Sequence, residues 1–127
     1  MTYFHARTVE GDFEAVLDRT RASLQRHGFG VLTEIDVQAT LKSKIGQEFR
    51  PYRILGACNP VMAHEALVME SHVGVMLPCN VVVQQTADGV EVFAVDPAAS
   101  MAAIGNAELL GHARSVGEHL RAAVDEV

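Results

Sequence analysis

The chain has 127 residues, the length of one domain, and we expect a single domain over residues 1–127. With 49% hydrophobic and 20% charged residues it has the composition of an ordinary globule, not of a disordered or fibrous chain. Its formal net charge is −6, with only a modest basic island in residues 36–53, so we expect no nucleic-acid partner. Because we find neither a signal-peptide pattern nor roughly 18 uninterrupted apolar residues, we expect a cytoplasmic location and no membrane partner.

The spacing of apolar residues divides the chain into predicted strands and helices. In order, these are a strand over 3–9, a helix over 12–28, a strand over 29–35, a helix over 36–46, a strand over 51–58, a helix over 60–68, a strand over 73–86 interrupted at Pro78, a strand over 90–95, a short helix to 104 and a helix over 106–127. Asn59 and Asp96, each followed by proline, are typical of residues that cap the start of a helix. The segment 87–89, Ala-Asp-Gly between β-rich runs, predicts a hairpin.

The order of these elements predicts the fold class. Strands separated by helices come first, a meander of strands follows, and a long helix ends the chain. The apolar residues of this last helix fall within a sector of about 140°, so one side of it faces a core. We therefore predict an α+β domain whose antiparallel sheet is covered by helices mainly on one face.

Two Cys-Asn dipeptides contain both cysteines of the chain, and each lies beside a proline at a predicted strand end. They are Cys58-Asn59 and Cys79-Asn80. In a reducing compartment we expect both cysteines to be free thiols. Cys58 directly precedes a helix cap, where the partial positive charge of the helix favours the thiolate, the form that acts as nucleophile and metal ligand. The repeated dipeptide predicts that Cys58, Asn59, Cys79 and Asn80 meet at one ligand-binding cleft.

Two histidines between the cysteines extend this site to a candidate metal set. Cys58, His64, His72 and Cys79 offer sulfur and imidazole ligands that suit zinc or copper(I). Their spacing matches no standard structural metal site, so the cofactor stays unknown.

Three other interpretations of the cysteines stay open. A dithiol can cycle to a disulfide, although the 20 residues between Cys58 and Cys79 are unlike a Cys-x-x-Cys motif. A cysteine nucleophile needs a general base, and no local motif identifies one. Both cysteines can also be small buried hydrophobic residues. Because we find no phosphate loop, Ser/His/Asp order or paired carboxylates, we expect binding rather than catalysis.

Four short signatures, in order along the chain, resemble the domain of unknown function 302 family. They are Gly28–Asp36 (GFGVLTEID), Arg53–Pro60 (RILGACNP), Leu77–Val81 (LPCNV) and Ala94–Pro97 (AVDP). The resemblance covers nearly the whole chain. It implies a curved antiparallel sheet of the TATA-binding-protein-like architecture and a homodimer in a prokaryotic, bacterial cytoplasm, and it implies no established activity.

These features predict a small cytoplasmic binding domain, homodimeric, that holds a small molecule or a thiophilic metal in a cleft near the two Cys-Asn motifs. One alternative is a thiol-dependent enzyme or redox protein that uses Cys58. The other is a purely structural homodimeric interaction module.

Overall fold

Five strands form one antiparallel sheet in the computed structural model, which describes residues 2–127. The strands are β1 (Phe4–Val9), β2 (Gly30–Asp36), β3 (Tyr52–Cys58), β4 (Cys79–Thr86) and β5 (Gly89–Val95). Their order across the sheet is β1-β5-β4-β3-β2, and all neighbouring strands are antiparallel. The strand β4 therefore lies at the centre of the sheet, and β1 and β2 form its two edges.

Helices connect all the strands except β4 and β5, and each α-helix begins after an Asp or Asn residue. The α-helices are α1 (Phe13–Arg26), α2 (Val37–Ile45), α3 (Pro60–Met69), α4 (Pro97–Met101) and α5 (Ala107–Asp125). The side chains of Asp12, Asp36, Asn59, Asp96 and Asn106 each accept a hydrogen bond from a backbone N–H in the first turn. Such caps contribute about 1 kcal/mol each, and the caps predicted at Asn59 and Asp96 are confirmed. None of the helices within residues 2–127 is long and apolar enough to cross a bilayer.

The main core lies between one face of the sheet and the helices α1 and α5. Strands β4 and β5 contribute alternate valines to this face, as the period of two in a strand requires. The fully buried side chains of this core include Val81, Val83, Val90, Val92, Leu17, Leu24 and Leu120. The predicted α+β class, with helices covering mainly one face of an antiparallel sheet, is confirmed.

The opposite face of the sheet, called the open face below, carries an apolar row that crosses all five strands. In this row Ile35 pairs with Ile54, Ile54 with Val82, Val82 with Phe93, and Phe93 with Ala6. Ile35 is 48% exposed. The open face is therefore apolar along this row, although neither α1 nor α5 packs over it.

The segment before β4 differs from the prediction. The predicted strand over 73–77 is wrong: a 3-10 helix spans Ser71–Met76, and β4 begins at Cys79. The Glu70 carboxylate accepts a hydrogen bond from the backbone N–H of His72 and so caps this turn. Val73 is fully buried in a small apolar cluster that is separate from the main core. Pro78 therefore precedes the strand and does not interrupt it, and the Leu77–Pro78 peptide bond is cis. The hairpin between β4 and β5 is confirmed, with Thr86 paired to Gly89.

Candidate functional site: an apolar cavity at one end of the sheet

A cavity of about 340 Å³ opens at the end of the sheet where β3 stops and β4 starts. Its walls come from β2, β3, the start of β4, α3, α4 and α5, and most of its lining is apolar, including Phe29, Met62, Ala66, Met101 and Val116. The polar residues in the lining are Thr33, Cys58, Asn59, Cys79 and His112. Within residues 2–127 this lining includes no Asp, Glu, Lys or Arg side chain.

Cys58 and Asn59 reach the cavity because β3 ends and α3 begins at this point. Asn59 caps α3, and its Oδ1 accepts the backbone N–H of Met62 at 3.1 Å. Its Nδ2 lies against Gly28, where a Cβ atom would approach it to 3.0 Å. Gly28 has a φ of +86°, a left-handed conformation that glycine adopts without strain. The Asn59 side chain therefore caps α3 and packs against Gly28, just beyond the end of α1.

Cys79 enters the cavity from the first position of β4. It pairs with Ala57 across the sheet and is only 7% exposed. Burial raises the pKa of the Cys79 thiol to about 11, and the nearby Cys58 adds to this shift. Cys79 is therefore a protonated thiol at neutral pH, and neither cysteine is in a disulfide.

Asn80 follows Cys79 in β4 and does not line the cavity. Successive side chains of a strand point to opposite faces, so Asn80 projects from the open face, where it is exposed and pairs with Gly56. The structure thus brings three of the four predicted ligand-binding residues together, Cys58, Asn59 and Cys79, and separates Asn80 from them.

The two predicted histidine ligands lie outside the cavity lining. The His72 side chain is 90% exposed, and its Nδ1 lies 3.1 Å from Glu70 Oε1. The backbone N–H of His72, and then its side chain, lower the pKa of Glu70. His64 is exposed on α3. Across residues 2–127, no three His, Cys, Asp or Glu side chains are arranged to hold a metal ion, so the predicted set is not assembled.

His112 of α5 is a cavity residue that the sequence did not predict as one. Its side chain is only 10% exposed, with Nε2 at 2.8 Å from the Met62 carbonyl oxygen and Nδ1 at 3.5 Å from Glu65 Oε2. A carbonyl oxygen only accepts, so Nε2 is the nitrogen that donates. The one signal in the sequence is its place beside Ala113, at the boundary between the polar and apolar sides of the helix.

Gly56 allows Thr33 and Pro78 to lie close together. An added Cβ at this position would collide with the Thr33 hydroxyl and would approach Cγ of Pro78 to 2.8 Å. Both Thr33 and Pro78 line the cavity. The glycine in the signature Arg53–Pro60 is therefore needed for the close approach of its neighbours, not for an unusual φ.

Comparisons with known proteins agree with this fold. A family model described as a domain of unknown function, DUF302, matches residues 5–127. A crystal structure of an uncharacterized conserved DUF302 protein from Bacillus stearothermophilus has a TM-score of 0.94 and 28% sequence identity, and the match covers 99% of this chain and 98% of that chain. The comparison with curated proteins gives no match. The chain therefore belongs to the DUF302 family, as its four signatures imply.

Proposed function

We propose that the protein binds a small molecule in the cavity at the end of β3 and β4. The observation that carries this proposal is an apolar space of about 340 Å³ with a few converging polar groups. Ligand sites commonly have volumes of roughly 300–1,000 Å³ and this kind of lining. Protein interiors are otherwise close-packed, and side chains around a void lack partners for dispersion contacts. A ligand of matching shape would supply those contacts.

The state of the cysteines favours binding over thiol catalysis. The protonated Cys79 thiol acts as a small apolar wall group. A nucleophilic cysteine needs a base that is free to take its proton. His112 is the imidazole of this cavity, and its two nitrogens already face the Met62 carbonyl and the Glu65 carboxylate.

The test fills the cavity and compares the result with a matched change elsewhere on the same helix. Ala113 is buried in the cavity wall, whereas Ala107 is exposed at the start of α5. Native mass spectrometry of the purified protein is expected to detect a bound compound in the wild type and in Ala107→Leu, and none in Ala113→Leu. A bare polypeptide in all three, together with no metabolite that raises the melting temperature of the wild type, would contradict the proposal.

A thiophilic metal ion is the second candidate occupant, and one observation favours it: both thiols line the same cavity. Copper(I) accepts soft thiolate ligands. The raised pKa of Cys79 opposes it, because the metal must displace that proton. If this candidate is correct, protein purified without chelator contains stoichiometric metal by elemental analysis, and Cys58→Ala and Cys79→Ala each remove it.

We further propose that a second copy of the chain covers the open face, which makes the protein a homodimer. Antiparallel sheets usually expose polar side chains on an uncovered face, but here the apolar row crosses all five strands. Beside the row, Arg50 Nε donates to Gln84, and Gln84 donates to Glu91 at 2.7 Å. A patch with one cation, one anion and an apolar row is complementary to a two-fold related copy of itself.

Sedimentation velocity tests this interface with two charge substitutions. Ile35→Glu places a carboxylate in the exposed edge of the apolar row and is expected to give monomers. Val68→Glu, on α3 at 74% exposure, is the control and is expected to leave the dimer intact. A monomeric wild type, or equal effects of the two substitutions, would exclude this use of the open face.

A further inference from the structure

We propose that the ligand of the cavity is an uncharged, mainly hydrocarbon molecule. This inference rests on the proposed binding function and adds the chemical class of the ligand. It follows from the absence of charged side chains in the lining, within residues 2–127, and from the apolar rim of the cavity.

The cavity lacks a counter-charge for an ion. Within the described chain, no Lys, Arg, Asp or Glu side chain is part of its lining, and Cys79 is protonated at neutral pH. An ion buried in apolar surroundings without a partner loses its hydration with nothing in return. A protonated His112 would not change this balance, because Glu65 lies 3.5 Å away and would compensate its charge. Carboxylate and ammonium ligands are therefore disfavoured.

The hydrogen-bonding groups of the lining differ in how far the fold already uses them. Asn59 Oδ1 accepts from the backbone N–H of Met62, and His112 donates to the Met62 carbonyl. Thr33 pairs with Gly56, as Asn80 does, so its hydroxyl lies on the open face and is not a cavity group. In the part of the chain that the structure describes, the cavity therefore offers few hydrogen bonds and no charge, which fits a ligand that is mainly hydrocarbon.

The rim of the cavity is apolar because β2 contains a bulge. The register between β2 and β3 shifts between Val31 and Thr33, which adds Leu32 as an extra residue. Bulges redirect side chains and are common next to functional sites. Leu32 and Leu67 both line the cavity, yet they are 68% and 44% exposed. An apolar chain can therefore enter along an apolar surface.

Three probes of equal chain length test the inference: 1-octanol, octanoate and octylammonium, measured by calorimetry at neutral pH with the full chain. We expect 1-octanol to bind at least tenfold more tightly than either ion. Ala113→Leu is expected to abolish this binding, whereas Ala107→Leu leaves it unchanged.

The outcomes separate this inference from the proposed function. Octanoate or octylammonium binding as tightly as 1-octanol, and lost in Ala113→Leu, overturns the uncharged class and leaves the cavity as a binding site. If no probe binds, although native mass spectrometry finds a compound that Ala113→Leu removes, the uncharged class is likewise overturned and the cavity remains a binding site. If no probe binds and no such compound is found, or if probe binding survives in Ala113→Leu, both proposals fail.

Discussion

The two Cys-Asn dipeptides have the same composition but occupy different places in the backbone. Cys58-Asn59 lies where β3 ends and α3 begins, so the chain turns and both side chains line the cavity. Cys79-Asn80 forms the first two positions of β4, where alternation sends Cys79 to the cavity and Asn80 to the open face. The direction of the backbone after each cysteine, not the dipeptide itself, decides which residues form the site.

The surroundings of the two pairs differ in the same way. Asn59 is hydrogen-bonded as a helix cap, whereas Asn80 has no side-chain hydrogen bond within the described chain. Cys79 is buried with a strongly raised pKa, and Cys58 is half-buried. Each of these differences has a measurable consequence, and the largest concerns Cys79.

Stability at alkaline pH measures the burial of Cys79. Above pH 9 the thiol loses its proton in the unfolded chain, whereas in the folded protein its pKa is raised from 9.0 to about 11. The unfolded state then binds fewer protons, so this contribution is complete below pH 9 and is lost as the pH rises to 11. A shift of this size corresponds to about 2–3 kcal/mol of unfolding free energy.

Urea unfolding between pH 8 and pH 11 tests this prediction by difference. Other groups also titrate in this range in every variant, so the quantity compared is the slope of unfolding free energy against pH. Between pH 8 and pH 11, the unfolding free energy of Cys79→Ala is expected to fall less than that of the wild type. Cys58→Ala retains Cys79, so its unfolding free energy is expected to fall nearly as much as that of the wild type. Parallel curves for the wild type and Cys79→Ala would mean that Cys79 is not shielded from solvent.

Gly56 is the next point of difference, because it pairs with Asn80 and lies two residues before Cys58. Gly56→Ala forces Thr33 and Pro78 apart, and overpacking of this kind typically costs 1–3 kcal/mol, so we expect a loss of about 2 kcal/mol in urea unfolding. Gly111→Ala is the control: it lies in α5 with no atom within 4 Å of an added Cβ. A helical Gly→Ala change there is expected to stabilise by about 0.5–1 kcal/mol. A neutral Gly56→Ala would show that Thr33 and Pro78 move apart easily.

The fold was largely predictable because local signals and the global arrangement agree. Asp12, Asp36, Asn59 and Asp96 each cap a helix, and the amphipathic pattern of α5 places it on the sheet. The segment 73–77 was not predictable in this way. Its valines have high strand propensity, but the Glu70 cap and the burial of Val73 favour a 3-10 helix, and tertiary packing overrides propensity.

The site was predictable only in part, because a cavity is formed by residues that are distant in the sequence. The cysteines indicated the correct end of the sheet, but the side of β4 to which Asn80 points depends on where the strand begins. His112 comes from a helix 50 residues after Met62, whose carbonyl oxygen accepts its hydrogen bond. Leu32 reaches the rim because of a bulge, which leaves no clear periodic signal.

The smallest predicted effect separates the two asparagines directly. Asn59→Ala removes the cap of α3 and the contact with Gly28, so we expect a loss of about 1 kcal/mol of unfolding free energy. Asn80→Ala removes an exposed side chain and is expected to stay within about 0.5 kcal/mol of the wild type. Urea unfolding at neutral pH measures both, and Asn59→Asp, which retains a cap oxygen, should recover much of the loss. Equal effects of Asn59→Ala and Asn80→Ala would instead mean that the two asparagines contribute equally to stability, whatever the direction of the backbone after each cysteine.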